Sequence, residues 1–360
     1  METQMRRRIP EPGSYEMQKN MVIMMAALTP SLMMGVYIFG VSMLVLTLVC
    51  AAACEAFAWA CDAVMKRKNT ADDFTAAVTG VILAFSLPAR FPLWTAVLGC
   101  FVAIVMFREA LRGFGEKVAC PAMGARVFLT LMFTKEITEF PLNDFVKTPG
   151  DEPGALTGKT PLGLLMYGKE LPGLLRMFIG FVSGPCGAVS VAAVLIGGLY
   201  LIWKKVIRPE VPAGVIITMF MIMAAYYAVS GTPKDVPDSA SGIFSMAVFH
   251  IFAGGLMFAA FFCAGLYGEL LGTRRKALIY ACGVGAVTAG FRLLSPFEDG
   301  AAFAVLIMDA VMYAADRAGL MKPAADRAGL GKPAGDYADF ADPSADARET
   351  EKTSEGKEDR

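Results

Sequence analysis

Ten stretches of this sequence are apolar for close to the length that crosses a bilayer: 21–40, 41–65, 74–88, 92–107, 118–133, 174–203, 211–229, 242–266, 277–293 and 301–318. A helix rises about 1.5 Å per residue, so roughly 20 apolar residues traverse a hydrocarbon core about 30 Å thick. The shorter runs end at Gly or Pro, the pattern of broken or re-entrant helices. The chain is therefore expected to be an all-α polytopic membrane protein of about ten transmembrane helices. Composition agrees, since 56% of 360 residues are apolar and only 18% charged, more apolar surface than one soluble core can use. With 33 basic and 33 acidic residues there is no global basic field, which argues against nucleic acid as a partner. The eight cysteines fall almost wholly inside apolar runs with no Cys-x-x-Cys spacing, so they read as small buried hydrophobes.

Charge placement orients the spans. Alternating them from a cytoplasmic start puts Arg6 to Arg8, Lys66 to Lys68, Arg108 with Arg112 and Lys117, Lys204 and Lys205 with Arg208, and Arg274 to Lys276 on one face. Basic loops stay in the cytoplasm, so both termini are expected there and the protein in the cell (inner) membrane. The apolar run after Arg8 lacks a small-residue cleavage pattern and reads as a first anchor. The expected organisation is a cytoplasmic segment 1–20, a five-helix repeat 21–133, an extracytoplasmic loop 134–173, a second five-helix repeat 174–318 and a cytoplasmic tail 319–360. Five spans on each side of one long loop make an inverted five-plus-five layout, in which sites gather at the repeat interface on broken helices. The tail opens on a direct repeat, 315–324 echoed at 325–334. It then accumulates nothing apolar, so it is expected to be disordered.

Within the long loop, Gly154-Ala-Leu-Thr-Gly-Lys-Thr-Pro-Leu162 reads from its residues as a tight, exposed, hydroxyl-bearing turn. It lacks the spacing of a Walker phosphate loop. The segment resembles the flavinylation motif Asp-x-x-Ser/Thr-Gly-Ala-Thr/Ser of the membrane flavoproteins that include the D component of the Rnf electron-transport complex and the B component of the sodium-pumping NADH:quinone oxidoreductase. Gly154 stands where that motif has Asp, and Lys159 where it has Ala. Other stretches are similar to the same family in order: Asp73 to Pro88 followed by Phe91 to Trp94, Gly113 to Gly115, Pro121-Ala122, Gly124 to Leu129, Leu195 to Tyr200, Gly254 to Phe262 and Gly300 to Met308. The chain departs from it at Cys120, at Ala188 and along Cys263 to Glu269, so a second flavin is left unassigned.

The resemblance implies FMN held through a phosphoester at Thr160, with Thr157, Gly158, Lys159 and Arg126 as further flavin-site residues. It also implies the A, B, C, E and G components of the Rnf complex and a flavin transferase as partners, beside membrane lipid. The activity implied is electron transfer between ferredoxin and NAD coupled to sodium or proton transport, with no independent catalysis by this chain. Two other readings remain open, a urea-type small-solute channel or transporter and a scaffold subunit that has lost its flavin. Charges inside apolar runs are costly and mark further candidates. Glu55 and Asp309 are candidates for an ion path. Asp62 lies one helical turn from Lys66, which suits a structural pair. His250, the single histidine, suits a hydrogen-bonded core position. Arg126 suits either a carboxylate partner or the flavin phosphate.

Overall fold

The computed structural model describes residues 12–65, 74–110, 120–141, 157–233, 239–271, 273–295, 297 and 299–318. The basic cluster 66–68, residues 142–156 with Gly154, and the tail 319–360 lie outside the described residues, as does the Lys66 side of the pair expected for Asp62. In chain order the helices are α1 (Pro12–Phe39), α2 (Val41–Val64), α3 (Thr75–Ser86), α4 (Leu93–Phe101, running on as a π-helical stretch Val102–Ala110) and α5 (Pro121–Met132). Short helices α6 (Thr134–Thr138), α7 (Pro161–Met166) and α8 (Leu174–Ile179) follow, then α9 (Val191–Trp203), α10 (Glu210–Ser230) and α11 (Ala240–Phe252). Last come α12 (Leu256–Phe258, continued by π-helical Ala259–Ala264), α13 (Gly265–Leu270), α14 (Arg274–Leu294) and α15 (Ala301–Arg317).

Every one of the ten apolar runs falls on helix, and the chain is an all-α polytopic membrane protein. Among the described residues four helices are long and apolar enough to cross alone, and α11 with α12–α13 makes a fifth span bent by 63°. The other runs are short helices or pairs interrupted by turns, as Gly and Pro at their ends suggest. The ladder of β1 (Phe140–Pro141) against β2 (Thr157–Gly158), antiparallel with Phe140 opposite Gly158, ties the two ends of the long loop together.

Short helices leave orphan carbonyls where no water can reach them, and the fold supplies donors. The end of α3 is met by the turn before α9: Cys186 N donates to Leu87 O at 3.0 Å and Gly187 N to Phe85 O at 2.9 Å. Close crossing demands small residues; a Cβ on Gly80 would lie 2.5 Å from Cys50 O, so α3 touches the backbone of α2. At the interface of the two halves α5 and α15 run antiparallel. Asp309 of α15 reaches the start of α5, and Arg126 of α5 reaches the start of α15.

Candidate functional site

Thr160 is the N-cap of α7: its Oγ accepts a hydrogen bond from Gly163 N at 3.0 Å, and Pro161 takes the first helical position. The expectation of an exposed turn holds for Lys159 and fails for Thr160, which is 6% exposed. The physical reason is Leu162, two residues on, which packs on the break of the bent span and draws the start of α7 inward. Gly158 is buried in the β1–β2 ladder. The Thr157 backbone pairs with Pro141, and its side chain lies outside the described residues. Lys159 extends over the ring of Tyr167, with Nζ 3.0 Å from the centroid.

The break on which α7 rests is Ala253-Gly254-Gly255. Gly254 has φ +68°, and a Cβ there would meet Leu162, Arg292 and Asp299 at 3.0 to 3.1 Å. Arg292, in the last turn of α14, donates to the carbonyls of His250 and Ala253 and lies 3.4 Å from Asp299 Oδ1. Asp299 Oδ2 accepts from Gly255 N at 2.8 Å and Oδ1 from Ala301 N at 3.3 Å. One ion pair thus holds both helical ends at the break and the start of α15, while its charge suits both termini. Neither residue was singled out from the sequence. Arg292 was visible as a charge inside an apolar run, whereas Asp299 sits in a turn between runs and gave no signal.

Arg126 is 9% exposed, and its Nη1 has no hydrogen-bond partner. It lines a cavity of about 20 Å³ with Ser86, Asp299 and Gly255, about the room of one water. Thr160 borders a separate space of about 10 Å³ with Phe252 and Gly254, and the two share only the turn residues Pro185 and Ala188. Arg126 and Thr160 are therefore neighbours across that turn and do not share a cavity.

Asp309 is 1% exposed and accepts from Tyr280 OH at 2.8 Å and from Cys120 N at 3.3 Å. Glu55 accepts from Ala77 N at 2.9 Å and caps the start of α3. His250 is buried, with Nε2 2.9 Å from Tyr227 OH, which matches the core role expected of it. Asp62 is buried as well. All eight cysteines are free thiols; five are buried, Cys61 and Cys120 are half-buried and Cys282 is exposed.

An aliphatic hydroxyl at the end of the long loop is the group that a phosphoester needs, and Thr160 supplies it. The space that Thr160 borders is far too small for a tricyclic ring.

The family described as NQR2, RnfD, RnfE matches residues 13–322. The chain belongs to that family. It is similar to the D component of the Na(+)-translocating ferredoxin:NAD(+) oxidoreductase complex of Acetobacterium woodii, 32% identical over 312 residues that cover 85% of this chain and 89% of that protein. The D component of the proton-translocating ferredoxin:NAD(+) oxidoreductase complex of Clostridium ljungdahlii is 31% identical over 81% of this chain and 86% of its own. The D component of the ion-translocating oxidoreductase complex of Stutzerimonas stutzeri is 31% identical over 81% and 87%. This member of the NQR2, RnfD, RnfE family thus aligns with its relatives through both halves of the membrane region.

Proposed function

We propose that this chain is the flavin-carrying membrane subunit of an ion-translocating ferredoxin:NAD oxidoreductase complex. The observation that carries the reading is the match to relatives named as the D components of such complexes over more than four-fifths of each chain. The placement of Thr160 at the end of the long loop supports it further. The A, B, C, E and G components of an Rnf complex and a flavin transferase are its proposed partners. The basic loops argue for both termini in the cytoplasm and the loop outside the cell (inner) membrane.

FMN, when esterified to Thr160, supplies a centre that accepts and gives electrons. The chain's own residues anchor and orient it. Thr160 keeps its oxygen at the start of α7. Lys159, beside it and exposed, offers a cation for the phosphate once it leaves Tyr167. Arg126 faces Asp299 across its cavity, which favours the carboxylate-partner role over direct phosphate contact. Leu162 couples the loop to the Gly254 break. A change on the loop would reach the spans through that packing contact, so the Arg292–Asp299 pair at the break is where they would respond.

A passive solute channel is disfavoured by the middle of the fold. The rings of Phe85 and Phe258 lie 6.1 Å apart, Phe258 stacks on Phe262 at 5.1 Å, and all three are at most 2% exposed. These rings fill the crossing of α3 and α12.

The test is ultraviolet fluorescence of the denatured chain after co-production with its flavin transferase. A fluorescent band whose mass exceeds that of the bare chain by FMN less water is expected. A dark band with active transferase present would support the scaffold reading instead. Fluorescence gained by Gly154→Asp with Lys159→Ala would then place the loss in the altered motif.

A further inference from the structure

The end of α9 departs from the usual way of closing a helix. Lys205 N donates to Ile202 O and Val206 N to Leu201 O, both at 3.0 Å, which is a Schellman closure. That closure needs a left-handed residue and normally takes Gly, yet here it holds Lys205 at φ +58°. A non-glycine residue there costs on the order of 1 kcal/mol or more, which directs attention to its side chain. Lys205 borders an open cavity of about 460 Å³, together with Arg208, Arg274, Glu210 and Pro209. That volume is in the range of ligand sites.

The chemistry of the cavity is anionic recognition. Among the described residues that line it are the cations Lys205, Arg208 and Arg274 and one carboxylate, Glu210, which pairs with Arg274 at 3.3 Å through Oε1. Two helices of 21 residues begin at its wall, α10 at Glu210 and α14 at Arg274, adding the partial positive charge of their N-termini. The level is interfacial: Trp203 is 72% exposed at the end of apolar α9, with Lys204 Nζ 4.5 Å from its ring. We infer that this cavity binds the headgroup of an anionic phospholipid, its phosphodiester on Lys205 and Arg274. Basic pockets between spans at this level are built for such groups.

The experiment is native mass spectrometry of the full chain, purified in detergent and offered phosphatidylglycerol or phosphatidylcholine. The wild type should retain phosphatidylglycerol through delipidation that strips phosphatidylcholine. Lys205→Gly combined with Arg274→Gln should lower retention about tenfold or more. Lys205→Gly alone should weaken retention while raising or preserving the unfolding temperature, because it relieves the left-handed strain. Equal retention of the two lipids, or no change in the double variant, would overturn the inference. Displacement of the lipid by millimolar inorganic phosphate would overturn it in favour of a soluble anion.

Discussion

Asp309 is the most deeply placed carboxylate among the described residues, and its two hydrogen bonds explain why the cost of burying it is tolerated. Tyr280 OH and Cys120 N both donate to its carboxylate, and α5 begins where Asp309 meets it. Replacing it with Ala leaves both donors unpaired, at about 1–3 kcal/mol each, whereas Asn keeps one acceptor and removes a buried charge. The expected order of unfolding temperature in detergent is wild type, then Asp309→Asn, then Asp309→Ala well below both. An Ala variant as stable as the wild type would mean that the carboxylate does not tie α15 to α5. Thr160 has two jobs that substitution can separate. Asn keeps an N-cap acceptor but has no hydroxyl to esterify, so Thr160→Asn should fold and lose all covalent flavin fluorescence. Thr160→Ser should keep both, and Thr160→Ala should lose the flavin and about 1 kcal/mol of local stability besides. Covalent flavin retained in Thr160→Asn would move the attachment to another residue.

At the scale of elements, the break in the bent span rests on one side chain. Arg292 donates to the carbonyls of His250 and Ala253 at the end of α11, groups that the broken helix leaves without internal partners. Arg292→Gln removes charge-assisted bonds worth about 1.5–3 kcal/mol each. Amide exchange around residues 253–256 should then quicken by at least tenfold, while exchange in the α1–α2 pair stays unchanged. Equal protection in the variant would show that packing alone holds the bend. This element also marks where sequence reading stops. Run length located the helices, because hydrocarbon thickness and helix rise set it almost independently of neighbours. The interruptions were only hinted at by glycine. The π-helical stretches Val102–Ala110 and Ala259–Ala264 left no mark in the sequence pattern, since they depend on what the helix packs against. Thr160 read as exposed because Thr-Gly-Lys-Thr-Pro is turn chemistry, and only the contact of Leu162 with Gly254, about ninety residues apart in sequence, buries it. Arg126 was legible as a charge in a span, but Asp299, which lines the same cavity, was not.

The whole molecule poses a question of direction, since packing alone is indifferent to which face is the cytoplasm. Charge breaks the tie. The loop ends Lys204 to Arg208 and Arg274 to Lys276 come together around one cavity. The Thr160 turn, the Gly254 break and Asp299 instead gather where α14 ends and α15 begins. These are opposite ends of α14, whose 21 residues span about 31 Å at the usual rise, so the two clusters lie at opposite membrane faces. Basic residues are held on the cytoplasmic side during insertion, so the proposed orientation puts the first cluster inward and the Thr160 turn outward. In a background with Cys282 replaced, Pro153→Cys should label with an impermeant maleimide added to intact cells. Arg275→Cys should label only after the membrane is opened. Labelling of both from outside would break the alternation of spans between them. Labelling of Arg275→Cys alone from outside would invert the protein and put the Thr160 turn in the cytoplasm.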